Sequence, residues 1–501
     1  MRKIYKYLIV MALVSFSFAS KAQNDGFTFT LLPHIPFSNY YNPGVRVPYN
    51  GIAGGIFSNF NLSVYNSTLK YRDIYSIKPD GTEVIDGVQI VNSLKEYDNY
   101  LNMNMSLDLI NAGFRFNDKW FINIDWRFRM NTDFQYSKDF LGFFILGNGH
   151  YLGKDNPCDF NVGVKANAFT EFAVALQYDV NEHLTVGIRP KFLNGIANLT
   201  VTNDETRIYT DPETYAISAD MDLDIQAASV LKMDISRIRD IDKVVDSMSA
   251  HNIFAINENV GLGVDLGASY IANEHWGVSG GIYDLGYIKW RNSKVKKVEK
   301  TDVSINEGLF DDYHELTDME LDFESMLDDV VDAVWGNDSL VDGDDYKTYL
   351  KTRLMLQGYY EINPMVRFTA IGQLYTVMGK MRPALTVAYS GTFWDHLDLT
   401  LNYTMSKYTG SALGLGVGVH AGAFNFFIVS DNILAMTKVA KPTVEFATAY
   451  KASGIRTGIV FTIGKYQRHV PSADDDFIID TDAIDKEKEE FENNVSTDLE
   501  D

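Results

Sequence analysis

W-F-I-N-I-D-W-R-F-R-M-N, residues Trp120 to Asn131, separates into two unlike faces when read with a period of two. Trp120, Ile122, Ile124, Trp126, Phe128 and Met130 fall on one side, and Phe121, Asn123, Asp125, Arg127, Arg129 and Asn131 on the other. Successive side chains of a strand point to opposite faces, so this is a strand with one apolar face and one that carries two Arg and an Asp. Soluble sheets seldom combine such faces. A closed membrane barrel does, with lipid against the apolar side and a polar lumen against the other.

The pattern recurs on both sides of this stretch. In Asn259 to Tyr270, NVGLGVDLGASY, Val260, Leu262, Val264, Leu266, Ala268 and Tyr270 oppose Gly261, Gly263, Asp265, Gly267 and Ser269. Phe172, Val174, Leu176 and Tyr178 turn at Asn181-Glu182 and return through Leu184, Val186 and Ile188, which oppose Arg189 and Lys191 in parity. Leu397 to Ser406 and Leu413 to His420 alternate in the same way. Asn102 to Leu109 does too, but its phase flips at Ile110, which predicts a bulge near Leu109 and Ile110. About a dozen strands emerge between residues 51 and 466. Few helical periods are available to cover their apolar faces, so the expected fold is all-β, a transmembrane barrel of antiparallel strands with helical insertions in its loops.

The ends of the chain fit that reading. Arg2, Lys3 and Lys6 precede the apolar run Tyr7 to Ala19 and a small-residue site at Ser20-Lys21-Ala22, the layout of a secretory leader over residues 1–22. With one Cys in 501 residues no internal disulfide is possible, and no later stretch has the roughly 18 consecutive apolar residues of a membrane helix. The net charge of -23 excludes nucleic acid as a partner. Thirteen of the acidic residues crowd into Pro471 to Asp501, so residues 467–501 read as a disordered tail.

Residues 23–50 hold Pro33, Pro36, Pro43 and Pro48 but also Phe27, Phe29, Leu31, Leu32, Ile35, Phe37, Tyr40 and Tyr41. Proline keeps the segment out of a sheet ladder, while its apolar content suits burial, so it is expected to enter the lumen as a plug. Gly261, Gly263, Gly267, Gly414, Gly416 and Gly418 would leave room for it. Short amphipathic helices are expected over Leu231 to Met248 and over the acidic Leu309 to Trp335, both as loop insertions.

Candidate chemistry is sparse. Gly277-Val278-Ser279-Gly280-Gly281 has the spacing of a nucleophile elbow, yet no helical period follows it. Asp220, Asp222 and Asp224 share a strand face without the Gly and distal Glu of a calcium loop. The nine His show no zinc spacing, and no phosphate loop occurs. No catalytic set, metal site or cofactor is therefore expected. Asp125, Arg127, Arg129, Arg189, Lys191 and Asp265 are the candidates for the lumen.

Asn42-Pro43-Gly44 after the Pro-rich start resembles the Asn-Pro-Ala element of barrels similar to the long-chain fatty-acid transporter. Residues 187–195 (GIRPKFLNG), 284–290 (DLGYIKW), 431–434 (DNIL) and 456–458 (RTG) resemble, in order, elements of a Bacteroidota outer-membrane family related to those transporters. The resemblance spans Phe27 to Tyr466 and implies a barrel of about fourteen strands in the cell outer membrane, with Asn42, Pro43 and Gly44 in the plug. The expected function is a channel or uptake protein for small hydrophobic molecules, with outer-membrane lipid around it. The alternative is a non-transporting scaffold or secretion accessory, with a protein partner at the acidic loops or tail.

Overall fold

The alternating segments pair edge to edge until the sheet meets itself. The computed structural model describes residues 27–69, 73, 75–79, 82–117, 119–203, 205–214, 216–230, 255–291, 293–305, 341–363, 365–406, 410–433 and 452–466. Among these, fourteen antiparallel strands form the barrel wall: β1 (Tyr49–Asn66), β2 (Asn99–Arg115), β3 (Trp120–Tyr136), β4 (Val162–Asp179), β5 (Leu184–Asn203), β6 (Val260–Ile271), β7 (Trp276–Trp290), β8 (Arg353–Asn363), β9 (Val366–Val377), β10 (Lys380–Phe393), β11 (Leu397–Ser406), β12 (Gly410–Ala421), β13 (Phe424–Ser430) and β14 (Ala452–Tyr466). Closure comes from β14 pairing with β1, with Ile463 opposite Ile52 and Ile455 opposite Leu62. A closed sheet needs no cover for its edges.

Burial is inverted relative to a soluble protein. Along β11, Asp398, Thr400, Asn402 and Thr404 are at most 1% exposed, whereas Leu401 is 45% exposed. Leu262, Leu356 and Ile463 stand out from the wall at 61%, 68% and 65%. Exposed large apolar side chains around the whole wall, with polar ones buried behind them, make the surface of a transmembrane barrel. Aromatic pairs gather where turns are short: Trp120 with Tyr178 and Trp276 with Tyr360, each at 4.6 Å, and Phe424 with Phe461 at 5.9 Å. Such belts mark a membrane interface.

The two barrel ends differ. At one end β2–β3, β4–β5, β6–β7, β8–β9, β10–β11 and β12–β13 are joined by short turns. At the other, the long connections after β1, β3, β5 and β7 build a cap, while β9 turns into β10 at Met378-Gly379. The upper half of β5 leaves β6 and pairs with the strand Ile217–Ser229, which pairs in turn with Lys294–Ile305. Met221, Leu223 and Ile225 point into a cap core with Phe140, Phe143, Phe144, Tyr151, Phe160 and Cys158. Asp220, Asp222 and Asp224 take the opposite face, half-buried or exposed. The helix Lys138–Leu146 supplies the phenylalanines because Ser137 caps it, accepting from the Phe140 amide at 3.1 Å, and Phe140, Phe143 and Phe144 then recur on one side. Burial pushes the Cys158 thiol well up.

The phase flip in β2 is a bulge, since its register against β3 shifts between Asp108 and Ile110. A larger break was not legible. β1 shifts register between Gly54 and Phe60 against β14 and between Ile56 and Asn59 against β2, around Phe57 with a left-handed φ of 50°. β1 also starts at Tyr49, inside the segment expected to lie outside the sheet. Two helices, Gly87–Ser93 and Lys138–Leu146, sit where no insertion was expected. The expected helices at 231–248 and 309–335, the leader and the acidic tail lie outside the described residues.

Candidate functional site

The lumen is built from the inward parity of β2 to β7. Asp125, Arg127, Arg129, Arg189, Lys191 and Asp265 all point inward, are buried or nearly so, and meet in one ion network. Arg129 grips Asp284 with two parallel bonds of 2.8 and 2.6 Å and reaches Glu171 at 2.7 Å. Lys191 Nζ lies 2.7 Å from both Asp265 and Asp284. Arg127 is held among Asp108, Asp125 and Glu171 at 3.2 to 3.6 Å. Charges removed from water persist only when paired in this way, and the forked guanidinium geometry adds direction to the pairing.

Residues 27–48 pack against this network from inside. A single 3-10 turn, Thr28–Leu31, starts a chain whose Phe27, Phe29, Leu32, Ile35, Phe37, Tyr40 and Tyr41 are buried against Tyr283, Phe427, Val429 and Val460 of the wall. Arg189 donates to the carbonyl oxygens of Tyr40 at 2.5 Å and Asn39 at 3.1 Å. The Arg127 guanidinium lies 4.4 Å from the Tyr40 ring and that of Arg456 4.1 Å from the Phe29 ring.

Asn42, Pro43 and Gly44 dock on the wall. Asn42 accepts the Gly44 amide through its side chain at 2.9 Å, a local turn, and donates to the Gly280 carbonyl at 3.0 Å. Gln177 donates to the Pro43 carbonyl at 2.8 Å, and Ser269 to that of Gly44 at 2.6 Å. The approach is so close that a Cβ on Gly267 would stand 1.8 Å from Asn42 Oδ1, and one on Gly187 2.2 Å from the Pro43 oxygen. Of the glycines expected to make room, Gly267, Gly416 and Gly418 do face the segment. Gly261, Gly263 and Gly414 do not: side chains there would meet the Tyr287 carbonyl, Leu350 with Lys191, and Asn402, because they abut the wall and its own loops.

Two cavities abut the segment from opposite ends. One, about 120 Å³, lies toward the short turns and is lined by Leu31, Pro33, Ser38, Arg46, Ser269 and Tyr359, among others. The other, about 60 Å³, lies toward the long connections between Tyr40, Tyr41, Met105, Tyr283, Arg353 and Arg456.

Residues 43–431 match the model of a Family of unknown function (DUF5723). The chain belongs to that family. No curated protein matches it. Among solved structures it is similar to a Pseudomonas aeruginosa FadL homologue, with a TM-score of 0.43 and 10% identity over 89% of this chain and 100% of that one. It is also similar to the Pseudomonas putida toluene transporter TodX (0.39, 7%, 88% and 98%) and the Ralstonia pickettii toluene transporter TbuX (0.39, 9%, 86% and 93%).

This DUF5723 chain completes its lumen with residues beyond the six expected there. Glu171, Asp284 and Asp108 supply partner carboxylates, and Arg353 and Arg456 the cations beside the second cavity. Glu171 directly precedes the outward Phe172, so its parity pointed inward. Asp284 adopts a left-handed φ of 60° within β7, at a bulge against β6 that no pattern announces. Ser279 lies in mid-strand in β7, with none of the sharp turn a nucleophile elbow needs. His34, Asp398 and His420 come together although 364 residues separate the first two.

Proposed function

We propose that this chain is an outer-membrane channel for the uptake of small hydrophobic molecules, with residues 27–48 as its gate. The short-turn end faces the periplasm and the capped end the outside, the usual polarity of such barrels, while lipid covers the outward apolar band. The observation that carries the reading is the pair of cavities separated by one segment. The segment is held by more than a dozen hydrogen bonds to the wall and by ring contacts, but its backbone lies outside the sheet ladder, so a shift breaks none of the wall's own pairing. Tyr40, Tyr41, Met105 and Tyr283 bring apolar surface to the outer cavity, whose remaining lining is polar or charged, with Arg129, Asp284, Lys351, Arg353 and Arg456 among it.

Two observations favour a second reading, a non-transporting scaffold or secretion accessory: ion pairs fill the lumen, and the cap has an aromatic core of its own. Uptake of a small hydrophobic dye into proteoliposomes separates the two. Faster entry than into protein-free vesicles supports the channel, and equal rates with a co-purifying protein support the scaffold.

A further inference from the structure

We propose that His34, Asp398 and His420 bind a divalent transition-metal ion of the zinc class, and that the ion fastens the N-terminal segment to the barrel wall. Their donor atoms all lie within 4.8 Å of one another. His34 Nδ1 is 2.9 Å from Asp398 Oδ1, and His420 Nε2 is 3.8 Å from the same oxygen. The barrel register explains how residues so distant in sequence meet. Asp398 opens β11 opposite Gly418 of β12, and His420 projects two residues further along the same face. Gly418 has no side chain to separate them; a Cβ there would stand 3.3 Å from that of Asp398 and 3.5 Å from the Ile35 side chain.

Three features favour a metal over a simple hydrogen-bonded cluster. Asp398 is fully buried, and its ion pairs among the described residues are with the two imidazoles, with no Lys or Arg in range. A carboxylate removed from water requires a counter-charge, which a bound cation supplies. His420 Nε2 is buried without a hydrogen-bond partner and is turned toward Asp398. The carboxylate is already held in place, by the His34 amide at 2.7 Å and the Thr392 hydroxyl at 2.8 Å, as outer partners hold metal ligands. Two imidazoles and one carboxylate form a donor set for zinc, with a fourth position left to water, whereas magnesium and calcium prefer oxygen alone. Tetrahedral bonds of about 2.0 to 2.2 Å set donors about 3.4 Å apart, so the 2.9 Å pair would open and the 3.8 Å pair close, each by a fraction of an ångström.

One ligand comes from the segment and two from the wall, so the ion is a cross-link at the short-turn end. Binding is independent of whether the barrel conducts. The test is titration of Zn²⁺ into untagged, metal-free barrel in detergent, with Co²⁺ as a spectroscopic substitute. The expected result is one tight site per chain, a tetrahedral Co²⁺ absorption band, and a Zn²⁺-dependent rise in the unfolding temperature. His34→Ala and His420→Ala should each weaken binding at least tenfold and remove the temperature shift, while His150→Ala should leave both intact. Heat-modifiable migration on gels confirms that each variant folds, and His420→Gln serves where the alanine variant does not. No tight site in the wild type, or wild-type affinity in the folded His34 and His420 variants, overturns the proposal.

Discussion

Arg189 of the barrel wall donates a hydrogen bond of 2.5 Å to the carbonyl oxygen of Tyr40, 149 residues earlier in the chain. The same guanidinium lies 3.5 Å from both Asp125 and Asp265, so one side chain joins the ion network to the N-terminal segment. Arg189→Ala should therefore loosen the segment and also leave buried carboxylates short of a partner. Breaking one member of a buried pair costs about 3 to 5 kcal/mol. The expected outcome is a lower unfolding temperature together with raised conductance, measured on the folded fraction. Arg189→Lys restores the charge without the fork and should fall between.

Gly267→Ala should unseat the Asn42 turn, since its new Cβ would stand 1.8 Å from Asn42 Oδ1, 2.7 Å from Asn42 Cγ and 3.0 Å from the Gly44 nitrogen. Gly358→Ala faces open space and should be silent. Limited proteolysis of the folded barrel measures the difference: the segment becomes cleavable in the first variant and stays protected in the second.

The inverted burial of β11 was readable because alternation is local, and the parity of Asp125, Arg127, Arg129, Arg189, Lys191 and Asp265 follows in the same way from one strand at a time. Neighbour relations across the barrel are not local. Arg129 lies on the polar parity of its strand, but its partner Asp284 lies 155 residues away and depends on a left-handed bulge. The same distance hid the His34, Asp398 and His420 cluster. Ile217–Ser229 alternates as well as any wall strand yet belongs to the cap, because pairing with the upper half of β5, not its own pattern, decides where it goes.

Leu401 faces outward, in contrast to its buried neighbours Thr400 and Asn402. Leu401→Arg should hinder insertion, since a charge on the lipid face costs roughly 2 to 4 kcal/mol at the bilayer midplane. Thr400→Ala loses only hydrogen bonds to Leu31 and Ser390 and should assemble with a smaller penalty, on the order of 1 kcal/mol. The folded fraction in lipid vesicles, read from heat-modifiable migration, checks the ranking.

Cys158 is fully buried in the cap, and its thiol is 3.5 Å from the Asp139 carbonyl oxygen. Burial holds the thiol protonated, and the thiolate is the reactive form. Maleimide should leave the folded barrel unlabelled and label the heat-denatured chain fully. Rapid labelling of the native protein would mean that the cap opens.

Single-channel conductance of the intact barrel against a form lacking residues 24–41 tests the gate most directly, with both forms shown to fold by heat-modifiable migration. The account predicts a small or closed pore in the intact protein and a clearly larger one after deletion. Equal conductance in two folded forms would contradict it.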